Sequence, residues 1–190
     1  SGADSARRLL MRFGFADGYH DAVSLRHRMR WTNPLDGIGT GAVLQRLEGI
    51  VRAVVDSMTF DEATGRFAAH LEWHESYVAE QHVPHYGVAT EPMCWSLVGY
   101  VSGYASACCG RDVYFRELSC SAQGHEHCVV EGRDAGSWGD ALESLQFDFQ
   151  GAQLGPEVER LREAVQAQLH EVMRRERLLE KRERELDLLR

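Results

Sequence analysis

Hydrophobic positions along the chain change their period three times. From about residue 4 to 30 they keep helical spacing, with Leu9, Leu10 and Phe13 followed by Ala22, Leu25 and Met29. Over 41–57 Val43, Leu44, Leu47, Val51 and Val54 continue that spacing, so two or three helices are expected first. A turn signal over 61–65 follows. Phe67, Ala69, Leu71 and Trp73 then alternate with Ala68, His70, Glu72 and His74, the period of a half-buried strand, and the sheet is expected to begin there. Pro92 opens a further predicted helix, with Leu97, Val98, Val101, Tyr104 and Ala105 on one side and a stop at Gly110. Short strands are expected over 111–117 and 127–131. The order predicts an α+β fold, with N-terminal helices and then a helix-covered antiparallel sheet.

The third regime starts at the helix-breaking pair Gly155-Pro156, after which helix formers and charges run to Arg190. The domain boundary is placed there, with a globular domain over 3–154 and a helical, coiled-coil-like linker over 155–190. Val158, Val165, Val172, Leu179 and Leu186 recur at heptad spacing, but the companion positions Leu161, Gln168, Arg175, Arg182 and Leu189 are apolar only at the two ends. Such a seam is half-built. It fits either a solvated helix or a weak parallel dimer.

Charge narrows the function. Lys and Arg number 21 against 29 Asp and Glu, a net charge of −8, which opposes counterion displacement from DNA, so no direct nucleic-acid contact is expected. Neither a long apolar span nor a signal peptide is legible, and a cytoplasmic protein without membrane contact is expected. Five cysteines in a reducing compartment point to metal binding or buried packing before disulfides.

Four of the acid and thiol side chains have the chemistry of a closed metal site. Cys94, Glu117, Cys120 and Cys128 fall at a predicted helix start, a strand end and the two sides of a loop, and three thiolates with one carboxylate can fill a tetrahedral zinc shell. His125 and His127 crowd the same loop and are alternative fourth ligands. Incidental burial of the cysteines is the competing reading. Cys108 and Cys109 sit at a helix end as packing residues or as a redox pair. No Ser-His-Asp arrangement, phosphate loop or dinucleotide fingerprint is present, so catalysis is not expected.

Residues 91–140 carry a more specific signal: Cys94 and Trp95, then Gly99, Tyr100 and Tyr104, Gly110-Arg111, Glu117 with Cys120, and Cys128. At this spacing the chain resembles the sensor domain of phenol- and xylene-responsive sigma-54-dependent activators, which has a 4-vinyl reductase-like fold. The similarity extends upstream through 44–51 and 65–73. What the resemblance implies is a structural zinc on Cys94, Glu117, Cys120 and Cys128, and a pocket for a small aromatic effector formed by Ile38, Gln45, Val55, Leu71, Trp73, Trp95 and Phe115. It also implies a homodimer and a helical linker to an ATPase and a DNA-binding domain, both absent from this chain, with the effector relieving repression of the ATPase. Gln45 departs from the pattern: phenol-sensing members carry a histidine there, and xylene-type members an aromatic residue. A zinc-containing dimerisation or redox-sensing module without a small ligand is the alternative.

Overall fold

The computed structural model describes residues 2–149. The linker expected over 155–190, with its heptad positions, lies outside the described residues.

Helix α1 spans Gly2–Met29 and α2 spans Pro34–Leu47. Asn33 caps α2, its side-chain oxygen accepting from the Leu35 N–H at 2.8 Å, and Pro34 supplies the preset first helical residue. The helical spacing expected over 41–57 therefore fails in its second half. Gly49, at φ 73°, turns the chain, and Arg52–Asp61 forms strand β1 instead. Val51, Val54 and Val55 are β-branched, and pairing with the next strand outweighs a periodicity that both elements can satisfy. The sheet thus begins one strand earlier than expected.

Strand β2, Arg66–His74, pairs antiparallel with β1 across a turn in which Gly65 takes φ 71° and its N–H bonds the Asp61 carbonyl. Phe67, Ala69, Leu71 and Trp73 are buried, as the alternation predicts. Helix α3, Tyr77–Tyr86, follows, an element that the sequence pattern does not predict. Helix α4, Trp95–Cys109, starts three residues beyond Pro92 and ends at Gly110 in the left-handed conformation. Strands β3 (Val113–Ser119) and β4 (Cys128–Asp134) complete a four-stranded antiparallel sheet in the order β1-β2-β4-β3, and the short helix α5, Ala141–Phe149, ends the described chain.

Three faces of α4 organise the domain. Ser102 and Ser106, both buried, accept from the backbone N–H groups of Phe115 and Val113 at 2.9 Å, so the helix satisfies the open edge of β3 as a fifth strand would. Gly99 and Gly103 meet α1. Leu97, Tyr100, Val101 and Tyr104 turn to the space between α2 and the first two strands.

Candidate metal cluster and apolar cavity

Cys94 occupies the N-cap of α4, Glu117 lies near the end of β3, Cys120 follows that strand, and Cys128 begins β4. Their ligand atoms all lie within 4.8 Å of one another. The sulfurs are 3.8 Å apart for Cys94–Cys120 and Cys94–Cys128 and 3.7 Å for Cys120–Cys128, and all three residues are fully buried. A tetrahedral ion with ~2.3 Å metal–sulfur bonds places its sulfurs about 3.8 Å apart. The observed triangle has that edge. One Glu117 oxygen accepts from the Cys94 N–H at 2.9 Å, while the other is buried with no hydrogen-bond partner. The donor set and the orphaned oxygen both fit a divalent metal, and these four residues could hold one.

Without an ion the cluster cannot carry its full charge. The Cys128 and Cys94 thiols both donate towards Cys120, which pulls its pKa down to about 2, and the same bond pushes Cys128 up to about 12. Hydrogen bonding to Cys120 and Cys128, followed by burial, raises Cys94. Burial, then the Cys120 charge, lifts Glu117 to about 8. The group therefore holds one negative charge near neutral pH, and a metal would displace the remaining protons. Ser76 and Ser121 bond the Cys94 and Cys128 sulfurs at 3.3 Å through a hydroxyl and a backbone N–H. Ser76 approaches from the start of α3, a position that no spacing in the chain marks. His125 is exposed, and His127 turns to Glu72 and His74.

The second feature is an apolar cavity between α2, α4 and strands β1 and β2. It encloses about 530 Å³ of atom-free space, part of it open to solvent. Of the residues expected in a pocket, Ile38, Gln45, Val55, Leu71 and Trp73 line this one. Trp95 and Phe115 do not. Both border a separate depression beside Arg7 and Glu91, where the Trp95 indole donates to the Pro92 carbonyl at 2.7 Å. Phe115 is fully buried and packs against Phe67 at 6.0 Å between ring centres. Their place in the expected pocket is taken by Leu97, Tyr100, Val101 and Tyr104. Helical spacing from Leu97 could have found these residues, since positions three, four and seven apart share a face.

Few polar atoms reach this cavity. The Tyr104 hydroxyl is buried without a partner, and no hydrogen bond among the described residues uses the Trp73 indole N–H. Gln45 is 8% exposed and donates from its amide to Glu48 at 3.3 Å. Tyr100 donates to Asp21 at 3.0 Å, and burial raises its pKa despite an opposing hydrogen bond with Gln45. Burial, then the Asp21 and Asp17 carboxylates, raises Glu48. Burial also pushes Cys108 up to about 12 and Cys109 up to about 11, which keeps both as unreactive thiols near neutral pH.

Two family models match the chain: "Activator of aromatic catabolism" over residues 1–61 and the 4-vinyl reductase domain over residues 73–134. The phenol regulator MopR of Acinetobacter guillouiae is 30% identical over 146 residues, covering 77% of this chain and 26% of that protein. The transcriptional regulatory protein XylR of Pseudomonas putida is 32% identical over 139 residues, covering 73% of this chain and 25% of that protein. The chain thus spans about a quarter of the length of these relatives. The crystal structure of the phenol-responsive sensory domain of the transcription activator PoxR, with phenol, superposes with a TM-score of 0.74 at 33% identity, covering 80% of this chain and 75% of that one.

Proposed function

We infer the function from the family: this chain belongs to the sensor domains of aromatic-responsive sigma-54-dependent transcription activators. We propose that it binds one small aromatic effector in the cavity faced by Ile38, Gln45, Val55, Leu71 and Trp73. The observation that carries this reading is an almost wholly apolar lining with three polar groups, Tyr104, Trp73 and Gln45, left able to orient a ligand. The domain over 3–154 would act on an ATPase through the linker over 155–190, and the effector relieves repression by preferring the permissive state. Under this reading the domain binds its effector without transforming it. The protein is placed in the cytoplasm, as a regulator that works on transcription without itself touching DNA in this region.

Zinc on Cys94, Glu117, Cys120 and Cys128 is the structural cofactor in this proposal, supported by the sulfur spacing and the donor chemistry. Four protein ligands leave no open position for catalysis. The ion's part is to tie the start of α4 to β3 and β4, so that the helix wall of the cavity stays in place.

Selectivity is assigned to Gln45. Its amide nitrogen is engaged by Glu48, which leaves the side-chain carbonyl to accept from a ligand hydroxyl. A glutamine loses more rotamer freedom than a histidine ring when it is ordered, so a simple phenol is held less well than rings that bind by apolar contact. Calorimetry and native mass spectrometry against a panel of aromatics should find one ligand per chain, with non-phenolic or substituted rings matching or exceeding phenol. Gln45→His should move the preference towards phenol by roughly tenfold. Tight phenol binding that Gln45→His leaves unchanged or weakens would remove Gln45 from the reading, and no binding by any ring would remove the cavity.

Dimerisation is part of the proposal, supported by exposed Leu9, Phe13, Tyr19 and Val23 on one face of α1, at 56%, 60%, 47% and 39%. Leu9→Ser with Phe13→Ser should give a monomer by light scattering. A dimer that survives both changes places the interface elsewhere.

A further inference from the structure

The outer face of the sheet carries a second group of metal-binding side chains. On β2 the residues facing the cavity alternate with Ala68, His70, Glu72 and His74 on the opposite face. Trp73 pairs with Cys128 in the antiparallel ladder, so His74 lies across from His127, the residue just before β4. The two imidazoles stack with ring centres 4.9 Å apart, and the Glu72 carboxylate spans them. One of its oxygens is 3.1 Å from Nε2 of His74 and the other is 3.7 Å from Nε2 of His127. One ligand atom from each of the three residues falls within 4.8 Å of the others.

We propose that Glu72, His74 and His127 form a second metal site, distinct from the cysteine cluster, that takes a late first-row divalent cation such as nickel, cobalt or zinc. Two neutral imidazoles and one carboxylate suit these ions and are a poor set for magnesium or calcium, which want oxygen ligands. At metal–ligand bonds of ~2.0–2.1 Å, neighbouring ligand atoms stand about 3 Å apart. The Glu72–His74 separation already meets that, and the Glu72–His127 separation must close by about half an ångström. The His127 Nδ1 atom is buried without a hydrogen-bond partner, so Nε2 is the nitrogen left to face the carboxylate and an ion. The side chains are 26%, 26% and 37% exposed for His74, His127 and Glu72, which leaves room for water to complete the shell.

Position gives the site a consequence. The ion would clamp β2 to β4 at the Trp73–Cys128 pair, where one residue walls the apolar cavity and the other belongs to the cysteine cluster. Occupancy therefore stabilises the strand pair on which both depend, by mass action.

The test uses the full chain as purified, with its cysteine cluster loaded. Nickel titration by calorimetry and elemental analysis should show one additional equivalent per chain and a rise in melting temperature. In His74→Ala and Glu72→Gln, that additional binding should weaken by roughly tenfold or more, while the zinc content stays at that of the parent. Both substitutions lie on the outer sheet face and touch no cysteine, so they remain informative even if changes at His127 disturb Cys128. No additional equivalent on the parent chain, or one that His74→Ala and Glu72→Gln leave intact, overturns the proposal.

Discussion

Cys120→Ala is expected to leave little folded protein. Structural zinc contributes on the order of 10 kcal/mol in small modules, comparable to the whole net stability of a domain at about 5–15 kcal/mol. The geometry explains why the loss cannot be absorbed locally. The cluster joins the N-terminus of α4 to the end of β3 and the start of β4, and the three sulfurs pack against one another in a fully buried site. An alanine removes one corner and leaves two thiols and the buried Glu117 carboxyl without an ion to organise them. Soluble yield, far-UV circular dichroism and zinc content should fall together. Cys109→Ser, half-buried at the other end of α4, should cost only about 1 kcal/mol and keep its zinc. Well-folded, zinc-free parent protein, or a Cys120→Ala variant of unchanged stability, would refute the structural role.

The candidate site was more legible along the chain than the elements around it. Cys94, Glu117, Cys120 and Cys128 stood out because thiol chemistry and family spacing pointed to the same residues. Ile38, Gln45, Val55, Leu71 and Trp73 were legible by resemblance, and for Leu71 and Trp73 strand alternation agreed. Trp95 and Phe115 were misplaced because an apolar residue in a pocket and one in a core look alike in one dimension. Phe115 fills a fully buried position against Phe67 and the glycine backbone at Gly132, on the far side of the metal cluster's strand from the cavity residues of α4. Strand β1 was mistaken for helix because Val51, Val54 and Val55 fit either period, and only the pairing with β2 decides. Glu72, His74 and His127 were invisible as a group, since strand pairing alone brings His127 beside a residue so distant in the chain.

The contact between α1 and α4 was equally hidden, and substitutions there should have the second large effect. Gly14 and Gly18 on α1 and Gly99 and Gly103 on α4 are each four residues apart, so each pair lies on one helix face. A Cβ added at Gly99 would stand 2.1 Å from the Met11 carbonyl oxygen, and one at Gly103 would stand 2.0 Å from that of Phe15. The relation is reciprocal: at Gly14 and Gly18 the obstacles are the carbonyl oxygens of Ser96 and Tyr100, each at 2.1 Å. These are backbone atoms, so no rotamer change relieves the overlap. Ordinary carbon–oxygen contacts need about 3.3 Å, and the helices would have to part by more than an ångström along their contact. Overpacking commonly costs about 1–3 kcal/mol, and a rigid backbone obstacle belongs at or above the upper end. Gly103→Ala should gain about 1 kcal/mol in helix propensity and still lose on balance. A melting temperature roughly 5–10 °C lower is expected, at about 2–4 °C per kcal/mol for a domain of this size. Because Leu97, Tyr100, Val101 and Tyr104 line the cavity from the opposite side of the same helix, effector affinity should fall with it. Gly39→Ala supplies the control of opposite sign. It sits within α2 with nothing within 4 Å of an added Cβ, so the same substitution should raise stability by up to about 1 kcal/mol. If Gly103→Ala melts at or above the parent temperature while Gly39→Ala behaves as expected, α1 and α4 do not meet through their glycines.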